Sequence, residues 1–152
     1  MQKTTIGAII AGEVPYDEPS AFIYLFRDGG TIFYIGKSVD VYSRIEEHLG
    51  MQGRGYLRGG AKMEYIVNTN RPESLAWEVY LYTIVDCEVI TGCQYNRESY
   101  GRDFAMEMAE LDMIALHHPC LNTANNPHGT PLPARYIKVT GIANEGVKLK
   151  SA

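Results

Sequence analysis

The chain has 152 residues, 45% hydrophobic and 21% charged, with a formal net charge of −4 and a pI near 5.5. That length suits one domain with a buried core, and no apolar run approaches the ~20 residues of a membrane span. The acidic balance excludes a surface that binds nucleic acid all over, but it leaves room for a local basic patch.

The opening MQKTTIGAIIAGEVPYDEP carries one lysine and a short apolar run from Ile6 to Ala11. Acids and prolines follow rather than a cleavage site, so no secretory signal is expected, and residues 1–20 read as an extension before the core. Residues 21–27, AFIYLFR, and 31–36, TIFYIG, are rich in aromatic and β-branched residues around the turn Asp28-Gly29-Gly30, a hairpin pattern. Ser38 or Asp40 can cap a helix in which Val41, Ile45 and Leu49 recur every four residues, ended by Gly50.

A glycine-rich loop follows, with Arg54, Tyr56, Arg58 and Lys62 and no acid. A third strand is expected at 63–69, MEYIVNT, and a helix opening at Pro72 with Ala76, Val79, Tyr80 and Ile84 on its apolar face. Residues 87–103 read as irregular, with a short strand near Val89. A strong helix runs from Phe104 to His117, stopped by Pro119. In the tail, RYIKVT and GVKLK have the composition of a short hairpin. Cys87, Cys93 and Cys120 form no CxxC pair, so reduced thiols in a cytoplasmic setting are the simplest reading. His117, His118 and Cys120 are interrupted by Pro119 and lack a second ligand pair, so no structural zinc is expected.

Singly, the polar residues of these segments have plain explanations. A strand tyrosine usually packs, Arg44 and His48 share a helix face at i, i+4 where Glu47 or Asp40 can pair with the arginine, and a helical Glu110 is usually exposed. Their spacing is more specific. Ile23-Tyr24 stands ten residues before Tyr34-Ile35-Gly36, followed by Lys37-Ser38, by Arg44 eight residues after Gly36, and by His48 one helical turn on. Glu110 stands nine residues before Pro119 and twelve before Asn122. This set resembles the GIY-YIG nuclease superfamily, over roughly residues 21–49, 62–69 and 104–122. The first signature lacks the usual glycine, and about thirty-five residues separate the expected third strand from the glutamate helix.

The resemblance implies a single small α+β domain with its core at about 21–122 and a tail at 123–152. A three-stranded, mainly antiparallel sheet would be flanked by about three helices. It also implies a metal-dependent endonuclease acting on DNA. Glu110 would bind one Mg²⁺ or Mn²⁺, which keeps most of its waters and needs few protein ligands; Glu107 and Glu78 are the competing acids. The guanidinium fork of Arg44 suits phosphate oxygens as charge develops. The resemblance makes Tyr24 the base that activates water and Tyr34 a positioning group. With a free pKa near 10, Tyr24 needs cationic neighbours, His48 and Lys37, to lower it. His48 can also take the proton directly or through Tyr24.

Lys37 is expected at a backbone phosphate, and Asn122 at the glutamate helix or the phosphate. The loop with Arg54, Arg58 and Lys62 can meet DNA phosphates, with Tyr56 to stack or wedge. Either specificity is weak, or the 70–103 segment and tail supply it, or a homodimer or other partner does. The alternative is a catalytically degenerate module that binds nucleic acid or a protein without cutting.

Overall fold

The computed structural model describes residues 1–13, 21–51 and 60–138. Four strands, β1 (Gln2–Thr5), β2 (Ala21–Asp28), β3 (Thr31–Lys37) and β4 (Glu78–Thr83), form an antiparallel sheet in the order β1-β4-β2-β3. Helices α1 (Ile6–Ile10), α2 (Val41–His48) and α3 (Gly60–Thr69) cover one face around Tyr24, Phe26, Val79 and Leu81. On the other face α4 (Ile84–Thr91) and α6 (Arg102–His117) pack over Ile23, Leu25 and Ile35, and the short α5 (Arg97–Tyr100) packs against α6.

The α+β class and the β2–β3 hairpin match the sequence, and Gly29 supplies the positive φ (+55°) of its turn. Asp40 rather than Ser38 caps α2, its carboxylate accepting from the Ser43 amide at 3.2 Å, and Gly50 ends the helix at φ +73°. Four elements differ from expectation. Residues 63–69 are helical, because Met63, Ile66, Val67 and Asn70 are buried at i, i+3, i+4 and i+7. Pro72 is followed by a short 3₁₀ turn, Glu73–Ala76, and then by β4, so the strand beyond the hairpin lies at 78–83. There Val79 and Leu81 join the first core and Tyr82 the second, the alternation of a strand covered on both faces. Val89 belongs to α4, which starts at a reciprocal cap between Thr83 and Asp86. The N-terminal extension supplies β1, so the sheet has four strands rather than three. In the tail, Ala134–Tyr136 form a 3₁₀ turn, and residues 139–152 of the expected hairpin lie outside the described residues.

Two bulges in β2's pairings set the direction of key side chains. Phe26 pairs with Tyr34 and Arg27 with Ile32, leaving Phe33 unpaired; Phe33 and Tyr34 therefore both lie against the first core. Ala21 pairs with Thr83 and Ile23 with Tyr82, leaving Phe22 unpaired; Phe22 and Ile23 both join the second core.

Candidate active site

Tyr24 and Gly36 face each other across β2 and β3, as do Phe26 and Tyr34. Paired residues and i, i+2 neighbours share a face, so both tyrosines project on the side covered by α2. The Tyr24 ring lies over Gly36: a Cβ there would collide with the phenol oxygen and come within 2.9 Å of Cε1. The glycine is required by the ring above it, not by a turn.

From α2, His48 is fully buried and its Nε2 stands 2.8 Å from the Tyr24 hydroxyl. Its ring centroid is 4.8 Å from that of Tyr34 and 5.6 Å from that of Tyr24. Nδ1 has no hydrogen-bond partner among the described residues, so none of them pins the tautomer, and the bond to Tyr24 can run in either direction. Arg44, one turn earlier, pairs with Glu47 at 3.1 Å and also reaches the Tyr24 phenol.

Burial dominates the electrostatics. It pushes the Tyr24 hydroxyl far above the usual tyrosine range, with Tyr34 adding to the rise and Arg44 opposing it. Tyr34 is raised in the same way, first by burial and then by Glu110. Burial and then the Arg44 charge lower the His48 pKa to about 4, so at neutral pH this ring is uncharged. The expected lowering of the Tyr24 pKa by His48 and Lys37 therefore does not occur. His48 carries no charge to do it, and desolvation outweighs the one cation, Arg44, that opposes the rise.

Lys37, the last residue of β3, reaches α6, with Nζ 3.0 Å from Glu107 and 3.9 Å from Glu110. The hydrogen bond to Glu107 is the main cause of its raised pKa. Glu110 has a side chain 18% exposed, against 49% for Glu107, and its charge is felt at both tyrosines. Burial raises its pKa, Lys37 pulls the other way, and Glu107 adds to the rise. Glu78, by contrast, pairs with Lys3 at 3.4 Å on β1 and accepts from the Tyr80 hydroxyl at 3.3 Å. Glu110 is thus a poorly compensated, partly buried carboxylate beside the tyrosines, a donor that fits a hard divalent cation. No group of three or more His, Cys, Asp or Glu suited to a metal occurs among the described residues. An ion at Glu110 would take most of its shell from water and substrate, as Mg²⁺ does.

Asn122 has another task. Its Oδ1 accepts from the Ile35 amide at 2.9 Å, and its Nδ2 donates to the Ile35 carbonyl at 2.8 Å. The Cys120 amide donates to the Ile32 carbonyl at 3.0 Å and the Leu121 amide to the Phe33 carbonyl at 2.7 Å. The segment after α6 therefore grips the outer side of β3 around Tyr34. With both ends of its amide engaged by Ile35, Asn122 holds the backbone of the Tyr-Ile-Gly segment, a task beside the two expected of it, the glutamate helix or the phosphate. Asn126 braces the grip, its Nδ2 donating to the Pro119 and Asn122 carbonyls at 2.8 and 2.9 Å.

Tyr24, Tyr34, Arg44 and His48 are brought together on the α2 side, while Lys37 and Glu110 meet each other on the α6 side, near enough for their charges to act on Tyr34. Lys62 lies in the first turns of α3, and Arg54 and Arg58 fall outside the described residues. Arg97 and Arg102 were not singled out from the sequence, although each stands near the start of a helix in a charged stretch, NRESYGRD. No family model matches the chain, and no solved structure matches it significantly.

Proposed function

We propose that the protein is a metal-dependent endonuclease of the GIY-YIG type that hydrolyses phosphodiester bonds of DNA. The observation that carries this reading is the meeting of Tyr24, Tyr34, Arg44 and His48 from β2, β3 and α2, with Glu110 of α6 near enough for its charge to act on both tyrosines. With β4 in place of the expected 63–69 strand, the interval before the glutamate helix shrinks to residues 84–101.

Phosphodiester hydrolysis needs an activated water, charge stabilisation on phosphorus, and help for the leaving oxygen. Glu110 would hold one Mg²⁺ or Mn²⁺, which when bound would supply the last and part of the second. Arg44 points a fork of donors at the phosphate, where Tyr34 positions water or phosphate. Burial keeps Tyr24 a neutral phenol at neutral pH. The base is instead the Tyr24–His48 pair: the attacking water gives its proton to the phenol oxygen as the phenol proton passes to the neutral Nε2, 2.8 Å away. The low basicity of His48 is offset when the anionic phosphate enters and favours the imidazolium. Lys37, held by Glu107, presents an ammonium next to Glu110 for the adjoining phosphate.

Supercoiled-plasmid nicking at low salt with Mg²⁺ or Mn²⁺, comparing wild type, Glu110→Ala and an EDTA control, tests this directly. Metal-dependent nicking abolished by Glu110→Ala is the expected result, and Arg44→Ala should slow it roughly 10²–10³-fold. Salt-dependent DNA binding without nicking would replace the reading with a non-cleaving module; neither binding nor nicking would end it.

A further inference from the structure

The bulge at Phe22 turns its ring toward α5 and α6, where two guanidinium groups share it. Arg97 Cζ lies 5.6 Å and Arg102 Cζ 5.8 Å from the ring centroid, and the ring itself is only 5% exposed. Arg102 pairs at 3.4 Å with Asp103, whose side chain is 88% exposed, and Arg97 makes no ion pair among the described residues. An ion pair so exposed is weak, so neither guanidinium is held by a strong ion pair, although the carboxylates of Glu88 and Glu98 share the cleft that Arg97 lines.

Arg97 also lines a cleft of about 620 Å³ with Thr83, Gln94, Asn96, Glu88 and Glu98, a size usual for small-molecule sites. Asn96 is held at φ +52°, ψ 49° and makes no capping hydrogen bond with its side chain. The Glu88 carboxylate accepts from the Tyr95 amide at 2.8 Å. Side-chain amides and carboxylates suit the amino and carbonyl edges of a base, whereas the arginines suit a phosphate.

The sheet fixes where this cleft lies relative to the candidate active site. Thr83 pairs with Ala21 on β2, and Ile23, two residues on, pairs with Lys37. Cleft and lysine are therefore about two strand spacings apart, roughly 10 Å. Along α6, Arg102 precedes Glu107 by five residues, about 7–8 Å of helix rise.

We infer that Arg97 and Arg102 clamp a backbone phosphate flanking the cleaved one, and that the cleft beside them, with Gln94 and Asn96, receives its base. The inference rests on the endonuclease reading and names the part of the substrate that the candidate active site leaves unheld.

The test is fluorescence anisotropy of a labelled duplex in EDTA across about 50–200 mM salt, with wild type, Arg97→Ala/Arg102→Ala and Arg97→Lys/Arg102→Lys. Urea midpoints serve as the control for folding. Loss of the one phosphate contact should make the slope of log affinity against log salt shallower by about 0.9. The deficit of the alanine variant should shrink roughly three- to fourfold over that fourfold salt range. The lysine variant should keep most of the slope. An alanine variant that is folded yet matches the wild-type slope would overturn the inference while leaving the endonuclease reading intact. Wild type that binds no duplex at all would overturn both.

Discussion

Acid should destabilise this protein through His48, by an amount that its burial fixes. The folded ring has a pKa of about 4, against an ordinary value of 6.5. Between those values the unfolded chain binds a proton that the folded chain refuses, so stability rises with pH across this window. The contribution is whole above about pH 6.5 and is lost as pH falls through 4. At 1.36 kcal/mol per pH unit, the gap corresponds to about 3 kcal/mol. His48→Gln removes the titration while keeping a polar group near the Tyr24 hydroxyl. Urea unfolding at a series of pH values, followed by fluorescence of the single, buried Trp77, reads the difference directly. The advantage of wild type over His48→Gln should fall by about 3 kcal/mol from pH 7 to 4. Glu110 and His117, whose pKa values are also displaced by burial, are common to both proteins and cancel. Stability–pH curves that run parallel would show that His48 is not the buried neutral base described above.

Two backbone predictions follow from the same corner of the sheet. Gly36→Ala should drive Tyr24 off its position. We expect a stability loss of about 1–3 kcal/mol by thermal melting, and loss of any nicking activity in the plasmid assay. Asn122→Ala leaves the Ile35 amide and carbonyl without their partners; a cost of about 2–4 kcal/mol in urea unfolding should accompany faster hydrogen exchange at the Ile35 amide.

How much the sequence reveals depends on how many constraints each segment carries. The β2–β3 hairpin is legible because a glycine turn and β-rich composition on both sides of it agree over Ala21–Lys37. The segment Met63–Thr69 misleads because isoleucine, valine and tyrosine favour strands, while the spacing of its buried residues is helical; tertiary packing overrides propensity here. For Glu78–Thr83 the confusion is reversed, since Ala76, Val79, Tyr80 and Ile84 satisfy a helical spacing and the alternating Val-Tyr-Leu-Tyr was the overlooked signal. The cluster of polar residues around Tyr24 was foreseeable from spacing because it lies on one hairpin and the two helices read correctly. The depth of His48 was not, since an i, i+4 partner to an arginine on a short helix looks solvated until Phe26 and Tyr34 are seen packed against it. Nor could spacing show that Phe22 leaves the ladder, since a bulge depends on the register of both partners.

The grip of residues 120–122 on β3 also bears on how the protein meets other chains. An exposed sheet edge offers unpaired amides and carbonyls to any extended segment, which is how strands add and aggregates begin. Here three consecutive residues of the same chain occupy the ground of a fifth strand, taking up the carbonyls of Ile32, Phe33 and Ile35 and the amide of Ile35. The side of the sheet that carries Tyr34 is thereby closed to strand addition. Any second chain recruited through backbone pairing would have to dock at the opposite margin, on the four residues of β1.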